Sequence, residues 1–304
     1  MAQPIAEFEY DGIRILGYSQ AGEETYFALP ELNIGFDFGR APRELLAVDH
    51  IFLSHGHMDH AAGMAYYFSQ RMFIDNAPGT LYLPAGLEDP FRRLLGLWGE
   101  IDGNLPHANI VVAEPGRDIA LRRDLTIRPF AVRHPFRKRD GGVIGALGYA
   151  AIETRQKLID EYHGLPGPDL VKLKKAGTAI TRPVEIPLVA YTGDTAPGEW
   201  QELDYVRKAR VLLLECTFLD EDHIDRARAG YHLHIKDLRR IVPKLENERI
   251  LLTHISRRTL MSEIRAILAR ELGEEYSSGR VSAFMDHRPK RRRRAPAQSD
   301  AREG

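Results

Sequence analysis

The sequence predicts a layered α/β fold with a metal site at the carboxyl ends of its strands, and two observations carry that expectation. First, three apolar runs, residues 188–191, 211–214 and 250–253, have the unbroken character of strands buried on both faces. Each leads into a residue able to bind metal or move a proton: Asp194, Glu215 and His254. Second, an earlier apolar run at 51–53 leads into Ser54-His55-Gly56-His57-Met58-Asp59-His60, which reads H-x-H-x-D-H. A stretch of small and then apolar residues, 61–68, follows with the character of a helix. Sites in layered α/β folds collect outside the carboxyl ends of strands.

The other elements follow in chain order. Residues 13–16 and 26–29 read as strands of an opening antiparallel sheet, which 33–39 ends. Asp37, in that ending, reads equally as a turn aspartate or as a group that orients a histidine ligand. Residues 90–97 read as helix. Residues 125–132 read as a strand that delivers His134 at its end, held extended by Pro135. The stretch 141–187 is the least regular. It reads as an excursion from the core, a Gly/Pro hinge at 164–168 and then a basic helix at 170–175, or as an ordinary surface loop. Leu260, Met261, Ile264, Ile267 and Leu268 fall at helical spacing and mark a last helix. No internal repeat stands out.

A chain of 304 residues with 43% hydrophobic and 28% charged residues is an ordinary globular one. The single cysteine, Cys216, rules out an intrachain disulfide and suits a reducing compartment, so the expected location is cytoplasmic. Residues 1–9 lack the basic and apolar regions of a secretory signal, and no apolar run has the length of a membrane span. Secreted hydrolases and membrane partners are therefore not expected. The net charge of −1 hides an uneven distribution: from Arg288 onward there are seven basic residues and two acidic ones. That end reads equally as a phosphate-binding arm or as a solvated, disordered tail.

Collected, the strand-end ligands are His55, His57, Asp59, His60, His134, Asp194 and His254. Imidazole plus carboxylate favours Zn²⁺, with Mn²⁺ or Fe as alternatives. Seven ligands suffice for two ions if one carboxylate bridges. His55, His57 and His134 are assigned to one ion, Asp59, His60 and His254 to the other, and Asp194 to the bridge, with Gly193 before it allowing close backbone approach. A hydroxide between ions roughly 3.5–4 Å apart would be the nucleophile, and Asp59 could also hold its proton.

These residues carry a resemblance to the metallo-β-lactamase superfamily and, within it, to the tRNase Z (ribonuclease Z) family in its short, plant-type form. Phe36-Asp37-Phe38-Gly39, residues 54–60, Leu147-Gly148-Tyr149 with Glu153-Thr154, Gly193-Asp194-Thr195, Glu215-Cys216-Thr217-Phe218, His232-Leu233-His234 and His254-Ile255-Ser256-Arg257 carry it. Residues 161–174 stand where other forms have a long protruding arm. The resemblance implies an αβ/βα four-layer sandwich over residues 1–287, with a short substrate-arm insertion at about 155–185, and leaves 288–304 as the basic tail. It implies a dinuclear zinc endoribonuclease that trims the 3′ end of precursor tRNA, and a homodimer. It pairs Glu215 with His232, whose protonated form would donate to the leaving 3′-oxygen, with His234 as the alternative donor. Lys172, Lys174, Lys175, Ser256 and Arg257 become candidate RNA contacts. Two positions depart from the family pattern: Tyr231 stands where Gly precedes the histidine, and Arg258-Thr259 stands where Tyr follows the Ser-Arg. The rival expectations are a small-molecule esterase or phosphodiesterase on the same metal core, and an RNA-binding module without turnover.

Overall fold

The computed structural model describes residues 5–74, 78–137 and 141–289. The basic run from Lys290 to Arg294 lies outside them. Two sheets form the core. The first contains β1 (Ala6–Tyr10), β2 (Ile13–Ala21), β3 (Glu24–Leu29), β4 (Ile34–Phe36), β5 (His50–Phe52), β6 (Thr80–Pro84) and β7 (Asn109–Ala113), in that spatial order. Its first four strands pair antiparallel and its last four parallel, so the opening sheet does not end near residue 39 but continues through the ligand-bearing strand β5.

The second sheet repeats this plan. Its members are β8 (Ile119–Arg122), β9 (Leu125–Arg137), β10 (Val143–Leu158), β11 (Thr181–Tyr191), β12 (Val211–Glu215) and β13 (Arg249–Thr253). β14 (Ile255–Ser256) crosses to pair with β2 of the first sheet, and β15 (Val281–Ala283) completes the second beside β13. Here too an antiparallel half, β8 to β11, adjoins a parallel half, β11-β12-β13-β15.

Alternation along the parallel strands makes the layers. On β12, Val211 and Leu213 join the core shared with the first sheet, while Leu212 and Leu214 join a second cluster with Leu238, Ile241, Ile264 and Leu268. The latter four belong to helices Ile235–Ile241 and Met261–Leu272. Helices Met64–Ile74 and Glu88–Asp102 serve the first sheet through Met64, Tyr67, Phe68, Phe91 and Leu95. Burial on both faces explains why strands 188–191, 211–214 and 250–253 carry no polar alternation.

Between the sheets lies an aromatic layer: the Phe36 ring is 5.2 Å from Tyr191 and the Phe52 ring 5.3 Å from Tyr149. Both tyrosines reach from the second sheet to the ligand-bearing loop of the first. Tyr149 Oη donates to the Leu53 carbonyl at 2.7 Å, and Tyr191 Oη donates to Asp37 Oδ2 at 2.5 Å. The site therefore sits on the seam between the two halves.

Three expectations need correction. The stretch 141–187 is not irregular: most of it is β10 and β11, paired from Tyr149↔Tyr191 out to Leu158↔Thr181, with a 3-10 turn Asp160–Tyr162 and the expected basic helix, Gly167–Lys175, at the far end. His134 is not at a strand end. β9 runs on to Arg137, and the register between β9 and β10 slips between Ile144↔Phe136 and Ala146↔Val132, so His134-Pro135 sits at a bulge, where a missing N–H is tolerated. The helix expected at 61–68 is broken: Met58–Ala61 forms one turn carrying Asp59 and His60, and Met64–Ile74 forms the longer helix.

Candidate metal centre

Every expected ligand is delivered by a strand end, a bulge or a one-turn helix, and the seven converge. Five arise on the first sheet's loop or on β9. Asp194 follows β11, and His254 separates β13 from β14. Gly193 has φ +58°, and a Cβ there would lie 2.7 Å from the Ser54 Cβ. The close approach that requires glycine is thus to the loop of His55, not to the ions.

Two groups of donors emerge, His55, His57, His134 and Asp194 on one side and Asp59, His60 and His254 on the other. Asp194 Oδ2 lies between them, 3.7 Å from His55 Nε2, 3.4 Å from His60 Nε2 and 3.3 Å from His254 Nε2. Asp59 Oδ2 is 3.3 Å from His254 Nε2 and accepts from the Gly22 N–H at 2.8 Å. His57 turns Nδ1 inward, 2.9 Å from His55 Nε2 and 3.4 Å from His134 Nε2.

Counting protons fixes the tautomers. Ser54 Oγ donates to Asp37 Oδ2 at 2.9 Å, so at 3.0 Å it can only accept from His55 Nδ1. Thr217 Oγ1 donates to Glu215 Oε2 and therefore accepts from His254 Nδ1, both at 2.9 Å. His60 Nδ1 donates to Asp37 Oδ2 at 2.7 Å, and His134 Nδ1 to the Tyr231 carbonyl at 3.2 Å. In all four rings the proton is committed outward, and the Nε2 lone pair faces the centre. Asp37 is both things its sequence position suggested, a left-handed turn residue (φ 56°) and the anchor of His60, Ser54 and Tyr191.

The donor set fits a divalent cation. His60 Nε2 and Asp194 Oδ1 are buried with no hydrogen-bond partner among the described residues, a costly state unless something else is bound there. Burial holds the His55 imidazole neutral, as a ligand must be. Burial also opposes charge on His60, but Asp194 and Asp37 outweigh it and hold its pKa well above the ordinary value, so this position attracts positive charge. For Asp59, burial is outweighed by the neighbouring His254 and His60 imidazoles, and its carboxyl is held well below the ordinary range. A carboxylate held so firmly ionised suits a ligand better than a proton store.

Asp37→Asn is expected to lower metal affinity by about 10- to 100-fold, because Oδ2 accepts from His60, the Ser54 hydroxyl and Tyr191 while Oδ1 accepts from the Ser54 N–H, and an amide has an oxygen for only one of those two places. Competition with a chromogenic chelator measures this, and unchanged affinity would remove Asp37 from the account.

Beside the ligands, Glu215 is fully buried and its two oxygens are saturated. Oε1 accepts from the Thr195 N–H at 3.0 Å, the Leu233 N–H at 3.2 Å and His232 Nδ1 at 3.0 Å. Oε2 accepts from the Thr217 N–H and hydroxyl. His232 stacks over His254 at 5.3 Å and lies near enough to Asp194 and His254 to share a cation with them. His234 does not enter the site. It caps helix Ile235–Ile241, its Nδ1 accepting from the Lys236 N–H at 3.1 Å and its Nε2 donating to the Asp220 carbonyl at 2.9 Å, so both ring nitrogens are used.

Ser256 and Arg257 line the same cleft as His57, Asp59, Asp194, His232 and His254, an open space of about 1010 Å³ whose walls also include Arg226 and Arg258. Arg257 is paired with Glu23 at 3.3 Å. Lys172, Lys174 and Lys175 are not brought to the site. They lie on the helix beyond Thr181, and Asp194 follows the other end of β11, ten residues or roughly 33 Å along an extended strand. Lys172 is also paired with Asp169 at 3.0 Å. Sequence reasoning missed Ser19, which accepts from the His254 N–H at 2.8 Å, as well as Gly22 and Tyr191. None has a local signal. Only Thr217, next to Glu215, stood within a motif already noted.

Comparison with known proteins gives this geometry a family context. Residues 174–255 match the family model described as a Beta-lactamase superfamily domain. Over 260 residues the chain is 35% identical to tRNase Z TRZ1 of Arabidopsis thaliana, covering 84% of this chain and 90% of that protein. It is 33% identical to the same plant's tRNase Z TRZ2, chloroplastic, over 84% of this chain and 71% of that one. Among solved structures, the metallo-β-lactamase fold protein YhfI from Bacillus subtilis superposes with a TM-score of 0.58 at 15% identity, covering 88% of this chain and 92% of that one. The short form of human tRNase Z gives 0.54 at 19% identity, over 80% and 92%. These two show the shared four-layer fold.

Proposed function

The chain belongs to the tRNase Z family of metallo-β-lactamase-fold endoribonucleases, and on that premise we propose that it cuts precursor tRNA at the 3′ end with two zinc ions, leaving a 3′-hydroxyl. One observation carries the reading. Asp194 Oδ2 lies within 3.7 Å of ring nitrogens in both donor groups, and His232, paired with Glu215, lines the same cleft. When bound, two zinc ions supply a water of lowered pKa as nucleophile and Lewis-acid charge against the phosphate. His55, His57, His134 and Asp194 would hold one, Asp59, His60, His254 and Asp194 the other.

The chain's own groups do the rest. Arg226, Arg257 and Arg258 give the cleft positive walls suited to a polyanion. His232, protonated against Glu215, donates its proton to the leaving 3′-oxygen as the bond to phosphorus breaks. The direct test is incubation of the zinc-loaded protein with a precursor tRNA bearing a 3′ trailer.

Lys172, Lys174 and Lys175 are proposed to hold RNA backbone well away from the bond that is cut. Replacing all three by alanine is expected to flatten the slope of log affinity against log salt by about 2, the Lys172–Asp169 pair reducing the share of Lys172. Cleavage of bound substrate is expected to be unaffected. An unchanged slope in salt-titrated binding would remove the arm from the RNA contacts.

A homodimer is proposed through the outer faces of helices Met64–Ile74 and Glu88–Asp102. Tyr66, Phe73, Leu97, Trp98 (47% exposed) and Ile101 (72% exposed) are exposed on these two helices, and Tyr66 and Trp98 line one hollow. Trp98→Glu is expected to convert a dimer to a monomer in light scattering. A monomeric wild-type chain, or a dimer that survives the substitution, would rule this face out.

A further inference from the structure

Tyr231 holds a conformation that its side chain resists. It follows helix Ile224–Ala229 and Gly230 and has φ +55°, the left-handed region that glycine enters freely and that crowds any Cβ. The backbone requirement is clear: the Tyr231 carbonyl accepts from His134 Nδ1, and the next residue is His232. Neither role uses the phenol ring, and glycine would meet both with less strain. The residue is 37% exposed. The Arg133 guanidinium lies over it, 5.9 Å from the centroid, within cation–π range, and has no carboxylate partner among the described residues. Arg133 immediately precedes His134, and Tyr231 immediately precedes His232. Two separate elements thus bring a flat aromatic face and a cation together, each one residue from a group of the site.

We propose that Tyr231, flanked by Arg133, is a stacking platform for a nucleobase at the cleavage point, that of the nucleotide whose 3′-oxygen leaves. A partly exposed aromatic face beside an arginine suits any base, since each has a π-face and the adjoining phosphate is anionic. The choice of nucleotide follows from the neighbouring His232, and so rests on the RNA-cleaving reading above. Backbone strain retained at a partly exposed aromatic residue beside the site is the pattern of a functional position.

The test uses the full zinc-loaded chain and a minimal precursor RNA with a 3′ trailer, in its natural form and with an abasic nucleotide 5′ of the scissile phosphate. Tyr231→Gly accepts φ +55° and should fold, and Tyr231→Phe keeps the ring. With the natural RNA, Tyr231→Gly is expected to raise KM about tenfold, with a smaller change in kcat, and Tyr231→Phe to stay within about twofold of wild type. With the abasic RNA, wild type and Tyr231→Gly are expected to coincide, because the stacked group is absent. An equal loss on both RNAs would mean a structural role and overturn the platform. Wild-type behaviour of Tyr231→Gly on natural RNA would overturn it while leaving RNA cleavage intact. A wild-type chain that neither binds nor cuts the RNA would overturn both.

Discussion

Asp194→Ala is expected to lose both metal ions and with them on the order of 10³-fold or more in rate, since metal assistance contributes several kcal/mol and each 1.36 kcal/mol is tenfold. Its Oδ2 lies within 3.7 Å of ring nitrogens in both donor groups, and its Oδ1 is buried without a hydrogen-bond partner among the described residues. No other carboxylate among those residues spans the two groups: Asp59 faces His60 and His254, and Asp37 is occupied behind His60. Asp194→Asn tests charge separately from shape, and is expected to retain the fold while binding the pair weakly. Elemental analysis after gel filtration measures the outcome. Two ions per chain in Asp194→Ala would refute the bridge.

His232→Ala is expected to keep both ions and to slow cleavage by about 10²- to 10⁴-fold, the usual reach of a general acid. Burial alone would push the His232 pKa below the ordinary imidazole value. The Glu215 carboxylate, 3.0 Å from Nδ1, outweighs it through its charge and hydrogen bond and raises the pKa to about 9. Because the folded pKa is raised, the proton is held at neutral pH and lost as pH rises through that value. Bound cations repel it, so the falling limb of the rate profile should lie at or below pH 9. The limb should vanish in His232→Ala and move to lower pH in Glu215→Gln. A substrate with a much better leaving group should recover most of the lost rate. Metal loss in His232→Ala would instead mark it as a ligand, a role its distance to Asp194 and His254 permits.

The contrast between His232 and His234 shows where sequence stops speaking. Both stand in one tripeptide, and spacing cannot distinguish an acid from a helix cap. The difference is made by Glu215 and by the Asp220 carbonyl, each distant in sequence. His55, His57, Asp59 and His60 were legible because one strand-to-helix turn carries them all. Asp194 and His254 were legible because buried parallel strands announce themselves by unbroken apolar runs and end at the site. His134 was found, but its strand was cut short at a proline that a bulge accommodates. The ribbon of β10 and β11 was read as irregular because its outer part, around Arg155, Gln156 and Lys157, is solvated on both faces and so lacks alternation. The repeated sheet plan left no sequence repeat, since interior strands need only be apolar and of the right length. Ser19, Gly22 and Tyr191 support ligands through single long-range hydrogen bonds that no local pattern records.

The central claim is that this metal centre cuts RNA. The most direct measurement is cleavage of a precursor tRNA with a 3′ trailer by the zinc-loaded chain, with the ends mapped and a chelator-treated sample alongside. The expected result is one cut at the trailer junction, a 3′-hydroxyl on the tRNA body, abolition by the chelator and restoration by zinc. Intact precursor together with metal-dependent turnover of a small aryl phosphodiester would contradict it and identify a small-molecule hydrolase on the same centre.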